Sequence, residues 1–503
     1  IAQVRWNGGD GNSFWVKMDT LPYEKFGNDG ADTRWIPIKG PVWHLTQGRH
    51  TLVFREREWG AALGNVMLTP LPAYVSSAVA FGNAVTLIDT LGFHDSLFFT
   101  PKPRLLLQPG YSLVSDSLLS FNLFFADADK KGLLASAKKV PLSIIAPDGK
   151  VLHSGNFTAS DEVTVTLAGP AQGRYVIKAG GLSREWHLLG SRLEKLTQAL
   201  TTLTEKESKS EAEAFWRPTL ELCRDNILRG YRVRHQSDVN LPDLAYVLAE
   251  FTRAEAILAA LKSNATAGLL KPGIQELAHY SETDSMLCPY TLYLPKTWSP
   301  SAKPMPFVLY LHGTGGTQWE FERGMEANHQ PIDKLAFPML DPYGRGNANW
   351  MNEAEKDLLT LLDIAARRFH LDTANVLLTG FSMGGFGTWN VGTGHPGKFN
   401  VLAPVAGGLP WEWERVKNPS FKAPEPLLPV GWKGRVLILH ASDDNTVPFA
   451  SALRAAETLA ATGHPFQLSV YRGGHAGPAN LFEIYNALLR GTPIPLPQTP
   501  TIQ

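Results

Sequence analysis

Two cysteines, Cys223 and Cys288, are all that the 503 residues contain. A pair cannot build a disulfide framework, and their separation matches no zinc-binding spacing; whether they bridge stays open at this level. Net charge is missing too: Lys plus Arg and Asp plus Glu both number 47. A neutral chain offers no long-range field to nucleic acid or to an anionic membrane, so neither is expected as a partner. No apolar run is long enough to span a bilayer. There is no H-E-x-x-H pair, no Walker-type phosphate loop and no dinucleotide fingerprint, so no metal and no cofactor are expected. The sequence opens on Ile1 without a signal peptide, which suggests a processed or trimmed chain.

What is present is an ordinary globular composition, 44% hydrophobic and 19% charged. The length is a soft prior for roughly three or four domains, and the texture changes along the chain accordingly. Residues 1–72 read as short strands and turns. Ser13–Met18 and His50–Arg55 alternate in hydrophobicity, Asp10-Gly11 and Gln47-Gly48 mark turns, and five of the 14 tryptophans (Trp6, Trp15, Trp35, Trp43, Trp59) fall here. Residues 73–190 continue in strands at Leu119–Phe125, Val140–Ile145, Lys150–His153, Glu162–Leu167 and Arg174–Lys178, with Pro/Gly turns between them. That rhythm predicts an immunoglobulin-like β-sandwich. From 191 to 285 the residues are those of helices: Arg192–Ile227, with a solvated charge run at Glu205–Glu213, then Asp243–Leu261 with Pro242 as its start signal. This region is read as a linker, because charge runs usually face solvent.

From 286 to 495 strands alternate with helices, which predicts a mostly parallel sheet. Strands are expected at Pro306–Leu311, Lys334–Leu340, Asn375–Thr379, Gly434–Leu439 and Phe466–Val470. Helices are expected at Glu353–Phe369, Gly384–Thr393 and Ala450–Ala461. The whole chain is therefore expected to be multidomain: N-terminal β-sandwich modules, a helical linker and a C-terminal α/β domain with a mostly parallel sheet.

The chemistry is carried by Gly380-Phe381-Ser382-Met383-Gly384. This G-x-S-x-G follows a β-branched and apolar run and opens a Gly-rich helix. Its glycines permit a sharp strand-to-helix turn that exposes the serine hydroxyl, with a helix N-terminus behind it. A serine hydroxyl needs a base, and the base an orienting acid. Where a G-x-S-x-G elbow between strand and helix carries the nucleophile, as in α/β-hydrolases, both follow the serine, acid first. Asp444 lies in the loop after the strand Gly434–Leu439, and His475 lies between glycines after the last strand. Asp443 is the alternative acid, with capping the turn as its structural role. His440 precedes the acid and reads as a packing residue; His395 and His464 sit beside prolines as ordinary loop residues. Leu311-His312-Gly313-Thr314-Gly315-Gly316 ends a strong strand, and the N–H groups of Thr314 and Met383 are the candidate oxyanion donors. Around the pocket, His312, Tyr343, Arg345, Trp350, Trp411 and Trp413 are the candidate substrate-binding residues. His312 can equally hold its own loop, and the Trp-rich insertion at 408–432 can equally pack on itself.

Five segments occur in order: Pro289–Pro295, Leu311–Gly316, Asp341–Gly346, Gly380–Gly385 and Gly473–His475. Together they resemble the esterase branch of the prolyl-oligopeptidase-like α/β-hydrolases, a branch that includes feruloyl and acetyl-xylan esterases and polyhydroxybutyrate-depolymerase-like enzymes. The resemblance implies the roles given above for Ser382, Asp444 and His475. One departure is Ala441, where that group commonly has glycine. Asn12–Val16, Trp43 and Gly48–Glu58 are similar to the later half of a galactose-binding-like sandwich of the carbohydrate-binding kind, which implies a truncated module at 1–72. The expected function is a serine carboxylic ester hydrolase removing acetyl or feruloyl groups from plant polysaccharide or its fragments, without a cofactor. A secreted or periplasmic location follows from that analogy. The alternatives are a serine peptidase of the prolyl oligopeptidase type and a non-catalytic glycan-binding protein with a vestigial hydrolase fold.

Overall fold

The computed structural model describes residues 2–6, 13–26, 36–38, 43, 50–56, 61–66, 104–108, 110–113, 118–126, 139–158, 162–166, 171–204, 210–235, 243–300, 303–322, 331–409 and 427–498. The chain divides into two compact units, Ile1–Arg232 with Val239–Asn264, and Val233–Asp238 with Ala265–Gln503.

The first unit holds small sheets and helices. Ala2–Trp6 pairs antiparallel with Ile36–Ile38 and Ala61–Val66, and Phe14–Met18 with Glu24–Phe26 and Leu52–Glu56. The second of these sheets buries Phe14, Val16 and Phe26, packed by Trp43, Leu52 and Phe54. This is the period-two pattern expected of a strand with one covered face. Leu118–Ala126 lies between Arg104–Gln108 and Glu162–Thr166. A five-stranded sheet runs in the order Val151–Thr158, Lys139–Ile145, Gly173–Ala179, Leu182–Leu188 and Tyr111–Ser112.

The helical region differs from a plain linker. Its three helices, Gly190–Thr204, Glu211–Arg229 and Leu244–Lys262, cluster with the strands of the first unit. The single stretch expected at Arg192–Ile227 is two helices, because Ser210 caps the second by accepting the Glu213 N–H. Glu213, expected in solvent as part of the charge run, is 8% exposed. Asp243 caps the last helix by accepting from the Tyr246 N–H. Cys223 and Cys288 are both buried and are not joined in a disulfide.

The second unit is built on an eight-stranded sheet. In this unit the strands are β1 (Gly273–Tyr280), β2 (Leu287–Leu294), β3 (Met305–Leu311), β4 (Met339–Pro342), β5 (Leu371–Phe381), β6 (Val401–Val405), β7 (Arg435–Ala441) and β8 (Phe466–Tyr471). Their order is β1-β2-β4-β3-β5-β6-β7-β8. The first two strands pair antiparallel, β2 meets β4 antiparallel, and every later pair is parallel. Its helices are α1 (Glu353–Arg368), α2 (Met383–Gly394), α3 (Ala450–Ala461) and α4 (Leu481–Arg490). The central strands read as nearly continuous apolar runs because both faces are covered; all five residues of β6 are buried. The unit takes in more chain than 286–495, since β1 begins at Gly273 and forms the sheet edge. The strand expected at Lys334–Leu340 starts only at Met339, Ile332–Lys334 being a 3-10 turn.

Candidate active site

The site grows from the end of β5. Ser382 has φ 55° and ψ −116°, a left-handed conformation that a non-glycine residue adopts at a cost of about 1–3 kcal/mol. Two hydrogen bonds hold it there: its N–H donates to Val405 O at 3.0 Å, and its carbonyl accepts from the Phe386 N–H at 3.1 Å. The flanking glycines are required by close approach. A Cβ on Gly384 would sit 1.8 Å from the Leu311 carbonyl oxygen, and one on Gly380 2.6 Å from the same atom. The end of β3 thus runs directly against the elbow. Gly313 lies where a Cβ would come within 3.5 Å of the Ser382 Cβ, so the loop after β3 faces the hydroxyl.

Ser382 Oγ is 2.8 Å from His475 Nε2, and His475 Nδ1 is 2.8 Å from Asp444 Oδ2. The Asp444 side chain is fully buried and His475 is 22% exposed. Oδ1 of Asp444 accepts from the N–H groups of Thr446 and Val447 at 2.8 and 2.9 Å, which fixes the plane of the carboxylate. With Nδ1–H donated to Asp444, the imidazole presents its Nε2 lone pair to the serine hydroxyl. The Phe381 ring lies against the imidazole, with centroids 4.9 Å apart.

Asp443 turns the other way. It accepts from the N–H groups of Gly473 and Gly474, which hold its carboxyl below the usual range, and so ties down the loop that carries His475. His440 is fully buried and donates to Val447 O at 2.8 Å. His395 reaches Glu355, and His464 donates to Leu428 O. Among the described residues, neither the Thr314 N–H nor the Met383 N–H is taken up by a main-chain acceptor. Met383 opens α2, where the N–H groups of the first turn have no partner within the helix.

Three of the expected substrate-binding residues are scaffold instead, and this corrects the expectation. His312 is fully buried; Nε2 donates to Tyr343 O at 2.7 Å, and burial pulls the imidazole's pKa down. Trp350 is also fully buried. It donates from Nε1 to His312 O at 3.2 Å, beside Gly344 and Gly387, which leave room for its ring. Arg345 is 9% exposed, and its guanidinium is spent on Asp357, Asp284 and Ser281. Hydrogen bonds from Arg345 hold the Asp284 carboxyl well below its usual range. Burying these side chains makes them supports of the 341–350 loop, with no face left for a ligand. Tyr343 is half-buried and donates its N–H to Pro289 O. Trp411 and Trp413 lie outside the described residues.

The sequence reading missed two side chains that hold the loop after β3. Asn347 Oδ1 accepts the Gly315 N–H at 2.6 Å, and His235 Nε2 donates to Thr314 O at 3.3 Å. His235 is 79 positions from its partner and carries no motif, so nothing in the sequence signals it. A cavity of about 210 Å³ opens beside the imidazole, walled mainly by apolar groups such as Phe321, Phe381, Val405 and Phe482, with Glu320 and His475 also in its lining.

The prolyl oligopeptidase family matches residues 343–488, a stretch that contains Ser382, Asp444 and His475. No curated relative matches the chain. Among solved structures, the chain is similar to fluorophosphonate-binding serine hydrolase F of Staphylococcus aureus (17% identity, 44% of this chain, 97% of that one, TM-score 0.34). It is similar to a ferulic acid esterase (18% identity, 44% and 97% covered, TM-score 0.35). A third likeness is to a putative dipeptidyl aminopeptidase IV of Bacteroides ovatus (18% identity, 46% of this chain, 37% of that one, TM-score 0.35). The C-terminal unit is an α/β-hydrolase-like fold with a mostly parallel sheet. Residues 343–488 are thus similar to the prolyl oligopeptidase family, a family of serine hydrolases.

Proposed function

We propose that this protein is a serine carboxylic ester hydrolase in which Ser382 is the nucleophile, His475 the base and Asp444 the orienting acid. The observation that carries the reading is the unbroken hydrogen-bonded line Asp444–His475–Ser382, with 2.8 Å at both links. Ser382 Oγ attacks the ester carbonyl carbon while its proton passes to His475 Nε2. The carbonyl π pair moves to oxygen, which the N–H groups of Thr314 and Met383 stabilise. The tetrahedral centre collapses, the C–O bond to the alcohol breaks, and His475 returns the proton to the departing oxygen. Water, deprotonated by His475, then attacks the acyl-enzyme and releases the acid and free Ser382. No step needs a cofactor.

The substrate class is an acyl-decorated plant polysaccharide or its fragments, with acetyl or feruloyl as the acyl group. The ordered set of motifs supports this, and the antiparallel sheets of the first unit are read as accessory β-sandwich modules beside it. An exported location belongs to the same reading. Peptide cleavage is the second reading. It is favoured by the prolyl oligopeptidase family match and by Glu320 in the cavity lining, where a carboxylate suits a substrate amine.

Replacing Ser382 by alanine should abolish p-nitrophenyl acetate hydrolysis and fluorophosphonate labelling while leaving the melting temperature within a few degrees. Full turnover by Ser382→Ala removes the proposal. A panel of acetylated and feruloylated oligosaccharides against peptide amides separates the two readings.

A further inference from the structure

The oxyanion loop is held from a part of the chain far from any hydrolase motif. Residues 233–235 run antiparallel to it, with His235 bridged to Gly316. The Thr317 hydroxyl donates toward Val233 O and Arg234 O at 3.0 and 2.9 Å, and Arg234 pairs with Glu322 at 3.5 Å. Against this bridge lies the peptide unit joining Thr314 to Gly315. Its carbonyl accepts from His235 Nε2 at 3.3 Å, and its N–H donates to Asn347 Oδ1 at 2.6 Å. The carbonyl and N–H of one planar peptide point in opposite directions. Gripping both fixes the rotation of that plane and so constrains the Thr314 backbone angles; the Thr314 N–H itself belongs to the preceding 313–314 peptide, whose carbonyl accepts from the Gly316 N–H at 3.0 Å and lies 2.9 Å from His312 Nδ1. The grip is also steric: Gly315 has φ +81°, and a Cβ there would meet the His235 ring at 2.6 Å.

We propose that His235 is a positioning residue for ester hydrolysis: with Asn347 it forms a two-sided clamp on the 314–315 peptide that aims the Thr314 N–H at the developing oxyanion. The proposal rests on the reading of Ser382 as nucleophile and of Thr314 as an oxyanion donor. It adds that the second unit is catalytically incomplete without residues 233–235. The clamp acts on the transition state, because the ground-state carbonyl oxygen is not where the donor is aimed. Its loss therefore lowers kcat and leaves KM nearly unchanged.

Two variants of the full chain test this. His235→Gln keeps an N–H donor near Nε2, while His235→Phe keeps a ring over Gly315 and removes the donor. Deleting an oxyanion donor outright costs ~10²–10³-fold in kcat, and a donor misaimed but present should cost about tenfold. The expected result with p-nitrophenyl acetate is a kcat about tenfold lower for His235→Phe, KM within about twofold, and His235→Gln within about threefold of the parent on both. A His235→Phe enzyme with parental kcat, or a His235→Gln enzyme as slow as His235→Phe, overturns the clamp. Fluorophosphonate labelling of Ser382 in the parent chain separates the two ways of failing. A parent that does not label overturns the nucleophile assignment, whereas a labelled parent with an unaffected Phe variant overturns the clamp alone.

Discussion

Asp444→Asn is the most informative change to the site, because the surroundings dictate how the new amide must sit. Oδ1 of Asp444 accepts two main-chain N–H groups at 2.8 and 2.9 Å, and Oδ2 faces His475 Nδ1 at 2.8 Å. An asparagine can keep its carbonyl oxygen on the two amides, which puts its NH2 against Nδ1. The opposite orientation sets that NH2 against two donors and loses two hydrogen bonds at about 1 kcal/mol each. The first orientation therefore prevails by about 2 kcal/mol, a preference of roughly thirtyfold. In it, Nδ1 must become the acceptor, so the ring proton moves to Nε2. His475 then presents a donor to Ser382 and cannot take its proton. The expected fall in kcat is ~10³–10⁴-fold, equivalent to about 4–5.5 kcal/mol of barrier, with KM within about threefold. The assay is steady-state hydrolysis of p-nitrophenyl acetate, with a melting curve to show that the buried site survives. A kcat within tenfold of the parent would refute the assignment of Asp444 and the tautomer argument together.

Trp350→Ala removes a fully buried ring that donates to the His312 carbonyl and packs against Gly344 and Gly387. It should cost about 3–5 kcal/mol in denaturant unfolding; a loss under 1 kcal/mol would return the residue to the pocket. Asp284 has its pKa lowered by Arg345, so the stability it contributes is present above the usual carboxylate range, near pH 4, and is lost as pH falls below that range toward the lowered value. Asp284→Asn should therefore reduce stability at pH 7 and flatten its decline below pH 4, as read by melting temperature against pH; parallel curves for the two proteins would contradict the pairing.

The elbow was legible because its requirements are local. Gly380 and Gly384 are the residues that a backbone carbonyl at 1.8–2.6 Å from a would-be Cβ demands, and they announce the serine between them. The order of Asp444 and His475 after Ser382 could likewise be read from loops at strand ends. Assigning Arg345 and Trp350 to substrate failed for a definite reason. A polar or aromatic residue in a catalytic-side loop looks the same in sequence whether it faces a ligand or is consumed in holding the loop, as Arg345 is by Asp284 and Asp357. The second unit begins before residue 286 because β1 is an edge strand that, among the described residues, pairs with β2 alone, and its sequence, Gly273–Tyr280, carries no motif. His235 was invisible because its role depends on a pairing that only the folded chain creates.

The second unit is discontinuous in sequence, made of 233–238 and 265–503. During synthesis from the N-terminus, the short stretch leaves the ribosome before any strand of the sheet it serves has been made. The next 26 residues, 239–264, belong to the earlier unit. Only when Gly316 emerges does His235 find its bridge. A fragment starting at Ala265 would therefore lack the 233–235 stretch and its bridge to Gly316.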